Sequence, residues 1–191
     1  MKKLIALLLA ALMVLSMAAC SGNNEETEPK AQGPASALEA LEKTWALYGD
    51  EEKFPAMGGT EGVMDAPGAY AMDQKESLSY LLHIPEDKIA SITEAATIMH
   101  MMNQNTFSCG VIRLKDGEDV AAYAKAVRDS IQATQWMCGF PDKLLIADLG
   151  GNYLLVAFGS DAEDYPLIST METKVTTAYA GTNVLYKEAI V

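Results

Sequence analysis

Two apolar runs, Lys143 to Leu149 and Tyr153 to Gly159, flank Gly150-Gly151-Asn152, and this arrangement constrains the fold more than any other part of the chain. Glycine and asparagine accept the positive φ angles that a tight reversal needs, so the runs predict an antiparallel hairpin. A second strand pair precedes it. Ile89 to Met102 carries the β-favouring Thr93, Thr97 and Ile98 and stops at Asn103-Gln104-Asn105. Thr106 to Leu114 follows, with Phe107, Cys109 and Val111 on one face.

Helices fall between and around these strands. Val120, Tyr123, Ala124, Val127 and Ile131 recur at helical spacing, with Asp116 as the expected cap, Gly139 near the end and Pro141 beyond. Leu38, Leu41, Trp45 and Tyr48 mark a helix over 34–48 that Gly49 ends. Ser77 to His83 is a short helix stopped by Ile84-Pro85, because a residue before proline avoids the helical region. A last helix begins at Asp164 or Tyr165, with Leu167, Ile168, Met171, Val175, Ala178 and Tyr179 as its apolar stripe. Asn183 to Val191 alternates weakly and suits an edge strand. Strands joined by short turns pair antiparallel, and amphipathic helices bury their stripes against a sheet. The expected fold is therefore a two-layer α+β domain over residues 34–191, with an antiparallel sheet of about four strands and helices on one face. Residues 50–74, with four glycines and two prolines, show no period and read as an irregular surface segment.

The first twenty residues point to location. Lys2 and Lys3 precede an apolar run from Leu4 to Leu15 and then Ser16-Met17-Ala18-Ala19-Cys20, the layout of an export signal too short for a comfortable membrane span. Met17-Ala18-Ala19-Cys20 resembles a bacterial lipobox, in which cleavage before the cysteine leaves its sulfur to receive a diacylglycerol. Residues 1–19 are thus expected to be a lipoprotein signal peptide and Cys20 the lipidation site. Residues 20–33, polar and almost without apolar side chains, are expected to be a disordered tether. Several acyl chains on one residue give stable attachment, which places the domain on the outer face of the cell membrane with membrane lipid as its first partner. Loss of Lys2 and Lys3 with the signal takes the formal charge from -12 to -14. Only two arginines, Arg113 and Arg128, are present, and so acidic a chain excludes nucleic acid as a partner.

Ile84-Pro85-Glu86-Asp87, the first strand pair, Asp119 to Arg128 and Gly150-Gly151-Asn152-Tyr153-Leu154-Leu155-Val156 can be read together. Over roughly residues 75–160 they resemble a family of Firmicutes lipoproteins catalogued as a domain of unknown function. The resemblance implies a lipobox, a tether and a compact extracytoplasmic domain, and it brings no assigned activity or site residues.

Chemistry-bearing residues are sparse. Met99, His100, Met101 and Met102 offer thioether and imidazole ligands of the kind that suit copper. On a strand, however, alternate side chains point to opposite faces, and methionine is a common core filler. Cys109 and Cys138 are the thiols left once Cys20 is lipidated. A bridge between them would stabilise the fold by roughly 3.5 kcal/mol on the chain-entropy view, and two separate buried thiols are the alternative. Asp116, Glu118 and Asp119, like Asp161, Glu163 and Asp164, stand where helices begin, as the helix dipole favours, and lack the spacing of a calcium loop. Gly58 to Gly62 has no strand leading into it, as a phosphate loop would. No nucleophile elbow, H-E-x-x-H or C-x-x-C occurs. The expectation is a non-enzymatic binding module of the cell envelope with no cofactor. It would engage a protein, peptide or glycan through residues 50–74, near or within which lie Trp45, Tyr48, Phe54 and Tyr70, or through the edge strand. The alternative is a copper- or other metal-binding lipoprotein using Met99 to Met102.

Overall fold

A computed structural model describes residues 33–191. The expected signal peptide, the expected lipidation site at Cys20 and all of the expected tether except Gly33 lie outside the described residues. The elements in chain order are α1 (Ala37–Trp45), β1 (Ala56–Gly58), β2 (Val63–Met64), β3 (Gly68–Tyr70), α2 (Leu78–Leu81), β4 (Ile92–His100) and β5 (Phe107–Leu114), followed by α3 (Val120–Gln132), β6 (Lys143–Gly150), β7 (Tyr153–Gly159), α4 (Leu167–Ala178) and β8 (Asn183–Ala189). Short 3-10 helices over Met72–Ser77 and Glu86–Ser91 lead into α2 and β4.

The hairpin forms as its sequence dictates. Gly150, Gly151 and Asn152 all take positive φ, and Asp148 accepts the Gly150 N–H at 2.8 Å beside a register shift. The turn packs so closely on the chain's entry that a Cβ on Gly33 would meet the Gly150 carbonyl at 2.3 Å. Around this hairpin the sheet runs β2-β1-β4-β5-β7-β6-β8, with β3 also paired to β4, and every pairing is antiparallel.

The two-layer, four-strand expectation is overturned. The sheet has eight strands, and both of its faces are covered. On one face Leu41, Trp45, Ile168 and Met171 from α1 and α4 pack on Cys109, Val111, Leu155 and Ala157. On the other, Leu78, Leu81, Tyr123, Val127 and Ile131 from α2 and α3 pack on Ile112, Leu144, Val156 and Phe158. The reason is in the strands. Every residue of β7 is buried, and a continuous apolar run, unlike an alternating one, leaves no face for water. The added strands come from the stretch read as irregular: β1, β2 and β3 use three residues or fewer each, too few to show a period, and form by pairing with β4 or with one another.

Caps also differ locally from expectation. Asp119, not Asp116, accepts the Ala122 N–H and starts α3, while Asp116 accepts from Asn152 across the hairpin turn. Asp119 lies one residue before the helix, where its carboxylate reaches the first free N–H groups. Helix α3 ends at Gln132, well before Gly139. Ser36 caps α1 by accepting the Glu39 N–H at 3.0 Å. Among the described residues no helix is long and apolar enough to cross a membrane.

Candidate functional site

The most distinctive surface lies at the end of the sheet where β4 turns into β5, on the face carrying α2 and α3. Past α2 the chain must turn back before Ile84-Pro85, and it does so with His83 at φ 54°. This left-handed conformation is a common helix ending that glycine usually occupies and that costs other residues roughly 1–2 kcal/mol. Its ring lies 4.7 Å from that of Trp136 and 5.2 Å from Phe158, and Trp136 and Phe158 are 5.1 Å apart. Three rings from three elements thus form one apolar floor.

The loop after α3 is held open by amide side chains. Asn105 donates to the carbonyls of Met137 (2.8 Å) and Gly139 (3.1 Å), and Asn103 donates to the Cys138 carbonyl at 2.8 Å. Asn103 also accepts the Asn105 N–H at 2.9 Å, so the two amides brace each other. Cys138 and Gly139 take positive φ within this clasp. The result is an apolar rim: Met137 is 77% exposed, Phe140 60% and, on α2, Tyr80 70%. Bounded by Tyr80 and Met137 of this rim and by His83 and Trp136 of the floor is a pocket of about 210 Å3, lined also by Gln104 and Thr134, among others.

The pocket is uncharged. Burial lowers the His83 pKa below its usual value, which favours the neutral ring. The Thr134 hydroxyl donates to the Ser130 carbonyl at 2.9 Å, so its contact with His83 Nδ1 at 3.2 Å is one in which Nδ1 carries the hydrogen and Nε2 is left as an acceptor. The buried Trp136 Nε1–H has no hydrogen-bond partner. Such a donor costs about 1–3 kcal/mol when left unmade, and here it belongs to a side chain that lines an open pocket. The arrangement can take up an uncharged group with an acceptor oxygen beside an apolar surface.

The residues singled out from sequence fall elsewhere. Met99 packs with the α2/α3 face while His100 stacks on Phe54, 5.7 Å between centroids, on the α1/α4 side. Met101 and Met102 are exposed beyond the strand end, and the Met102 N–H donates to His100 Nδ1 at 3.3 Å. The four do not converge. Among the described residues, no three His, Cys, Asp or Glu side chains are grouped to hold a metal ion. Cys109 and Cys138 are both free: the first is sealed in the α1/α4 core, where burial raises its pKa, and the second is exposed on the loop after α3. Trp45, Tyr48 and Phe54 are core residues, with centroids 4.7 Å (Trp45 to Tyr48) and 5.2 Å (Trp45 to Phe54) apart, and Tyr70 is partly buried against the α2/α3 core, so the four do not form an exposed aromatic surface beside residues 50–74. The pocket residues were missed in sequence. Their one signal was Trp136-Met137-Cys138-Gly139-Phe140, an apolar stretch without a period in a loop, which a buried role does not account for.

Part of the chain is similar to a known binding protein. Over 69 residues it is 39% identical to the iron-uptake system-binding protein of Bacillus subtilis (strain 168), covering 35% of this chain and 22% of that protein. The match spans about a fifth of that relative's length. No family model matches the chain, and the resemblance to the Firmicutes lipoproteins rests on the residues quoted for it. No solved structure matches it.

Proposed function

We propose that this protein is a lipid-anchored, extracytoplasmic binding module without catalytic activity, and that it binds through the pocket between Tyr80, His83 and Trp136. The basic and apolar start leading to Met17-Ala18-Ala19-Cys20 supports the anchor, and the partial similarity to an iron-uptake system-binding protein fits a binding role outside the cytoplasm. The observation that carries the site is the unpartnered indole N–H of Trp136 in a pocket with an exposed apolar rim. About 210 Å3 accommodates one large side chain. The ligand that fits is an uncharged apolar side chain of a peptide, whose neighbouring carbonyl accepts from Trp136.

The test is a fluorescence titration of the purified full-length lipoprotein with N-acetyl-phenylalanine amide and, separately, N-acetylglucosamine. The peptide analogue is expected to change Trp136 emission saturably, and Trp136→Phe, which keeps a ring but removes the N–H, to weaken binding at least tenfold when followed by equilibrium dialysis. Binding of the sugar in preference to the amide would reassign the ligand to glycans. No saturable response to either would remove the pocket from the reading.

A further inference from the structure

A second cavity, about 670 Å3, lies at the opposite end of the strands on the α1/α4 face. Its walls carry Glu39 and Lys43 from α1, Arg113 from β5, Tyr153 from β7 and Tyr179 just past α4. Strand register sets Glu94 directly across from Arg113, and Arg113 across from Tyr153. Opposite charges in that relation ordinarily pair. Here they do not. The Glu94 carboxylate is turned to other donors, accepting from the Ala37 N–H at 2.7 Å and the Tyr153 hydroxyl at 3.1 Å. Glu39 is occupied in the same way, by the Tyr179 hydroxyl at 2.7 Å and the Ala35 N–H at 3.2 Å.

The cations are left on aromatic faces. The Arg113 guanidinium lies 5.5 Å from the Tyr153 ring centroid and the Lys43 ammonium 4.5 Å from that of Tyr179. Neither forms an ion pair among the described residues, whereas Arg128 is bonded to both Glu188 and Asp129. An aromatic face stabilises a cation without occupying its N–H donors. The cleft therefore presents a guanidinium fork and an ammonium with their donors unused, while the carboxylates beside them already accept hydrogen bonds. A fork matches two oxygens of a phosphate or carboxylate, and the ammonium adds a point charge. A carboxylate would give both its oxygens to the fork. A phosphate keeps further oxygens for Lys43.

We propose that this cleft is a binding site for a phosphate group, held between Arg113 and Lys43. The phosphate could belong to a soluble ester or to a lipid headgroup. Gly33 lines the cleft thirteen residues after Cys20, a length of chain that spans at most about 45 Å, so headgroups come within reach if Cys20 is anchored. That source rests on the anchor proposed above, while the site itself does not.

The experiment titrates the purified full-length lipoprotein, in neutral detergent, with glycerol 1-phosphate by equilibrium dialysis, and in parallel measures its binding to phosphatidylglycerol vesicles. One saturable site for glycerol phosphate is expected. Binding should fall at least tenfold in Arg113→Gln and in Lys43→Gln, and stay unchanged in Lys115→Gln, an exposed lysine that does not line the cleft. Arg113→Lys should recover only part of the loss, because it restores charge without the fork. Both target side chains are exposed, and circular dichroism of each variant checks that the fold is kept. Vesicle binding that needs Arg113 and exceeds binding of glycerol phosphate identifies a lipid headgroup. Glycerol phosphate binding with no such excess identifies a soluble ester and leaves the site intact even if the anchor fails. No saturable binding in either arm, unchanged affinity in both Arg113→Gln and Lys43→Gln, or equal binding of acetate would overturn the proposal.

Discussion

The two ends of the sheet treat their polar groups in opposite ways. Where β6 turns into β7, charged and hydroxyl groups crowd together, and each carboxylate of Glu39 and Glu94 is engaged by a tyrosine hydroxyl and a backbone N–H. Where β4 turns into β5, the lining is uncharged, with aromatic and amide side chains, and one buried donor, the Trp136 indole N–H, has no acceptor. Strand β5 links the two ends across eight residues, about 24 Å of extended chain, and they open on opposite faces. The lesson is one of selectivity. In a chain of formal charge -12, one end offers an uncharged pocket, and the other offsets its carboxylates with two cations whose donors remain unpaired.

The largest expected difference between the two ends comes from the anchor proposed at Cys20, on the side of the chain that enters at Gly33. Cys20→Ala is expected to move the protein from the detergent phase to the aqueous phase in phase partitioning of cell extracts. Retention in the detergent phase would remove the proposed lipid anchor from the reading. Next in size is stability. Phe158 is fully buried beneath His83 and Trp136, so Phe158→Ala should cost about 3–5 kcal/mol in urea unfolding. Arg113→Ala, at the exposed counterpart, should stay within about 0.5 kcal/mol.

A finer test uses two orphaned polar atoms. The Tyr48 hydroxyl is also buried without a partner, but in the α1/α4 core, where burial drives its pKa far above the ordinary tyrosine value. Tyr48→Phe removes an unmet hydrogen bond and should raise stability by about 1 kcal/mol with ligand binding unchanged. Trp136→Phe should change stability less, because a smaller ring packs less well, yet impair binding. Equal effects of the two on binding would show that the pocket donor is merely structural.

The smallest effect is on pH dependence. Burial lowers the folded pKa of His83 below that of the unfolded chain, so the unfolded state binds more protons in the window between the two values. Its contribution to stability is therefore complete above the unfolded pKa of about 6.5 and is lost as pH falls below it. The melting temperature should drop between pH 7 and 5, and less so in His83→Asn, which keeps a residue tolerant of positive φ without a titrating ring.

Much of this was legible along the chain, and the failures have particular causes. The hairpin around Gly150-Gly151-Asn152, β4 and β5, the edge strand β8 and the three longer helices follow from local period and turn chemistry. The extra strands were hidden because Ala56–Gly58, Val63–Met64 and Gly68–Tyr70 owe their extended form to partners distant in sequence. The candidate sites were hidden for the same reason. His83, Asn105 and Trp136 are separated by tens of residues, as are Lys43, Arg113 and Tyr179, and nothing in a linear pattern places either set together.

Local pattern and composition set the order of strands and helices, the tight reversal that joins β6 to β7, the acidic balance and the export-like start, because each depends on neighbours within a few residues or on residue counts alone. Packing settled that both faces of the sheet are covered, which aromatic rings are sealed and which open, and which charges go unpaired. Those outcomes depend on strand register and on competition for hydrogen-bond partners. Glu94 illustrates it: register offers it Arg113, but Ala37 and Tyr153 take its oxygens, a contest settled only once α1 has packed against the sheet.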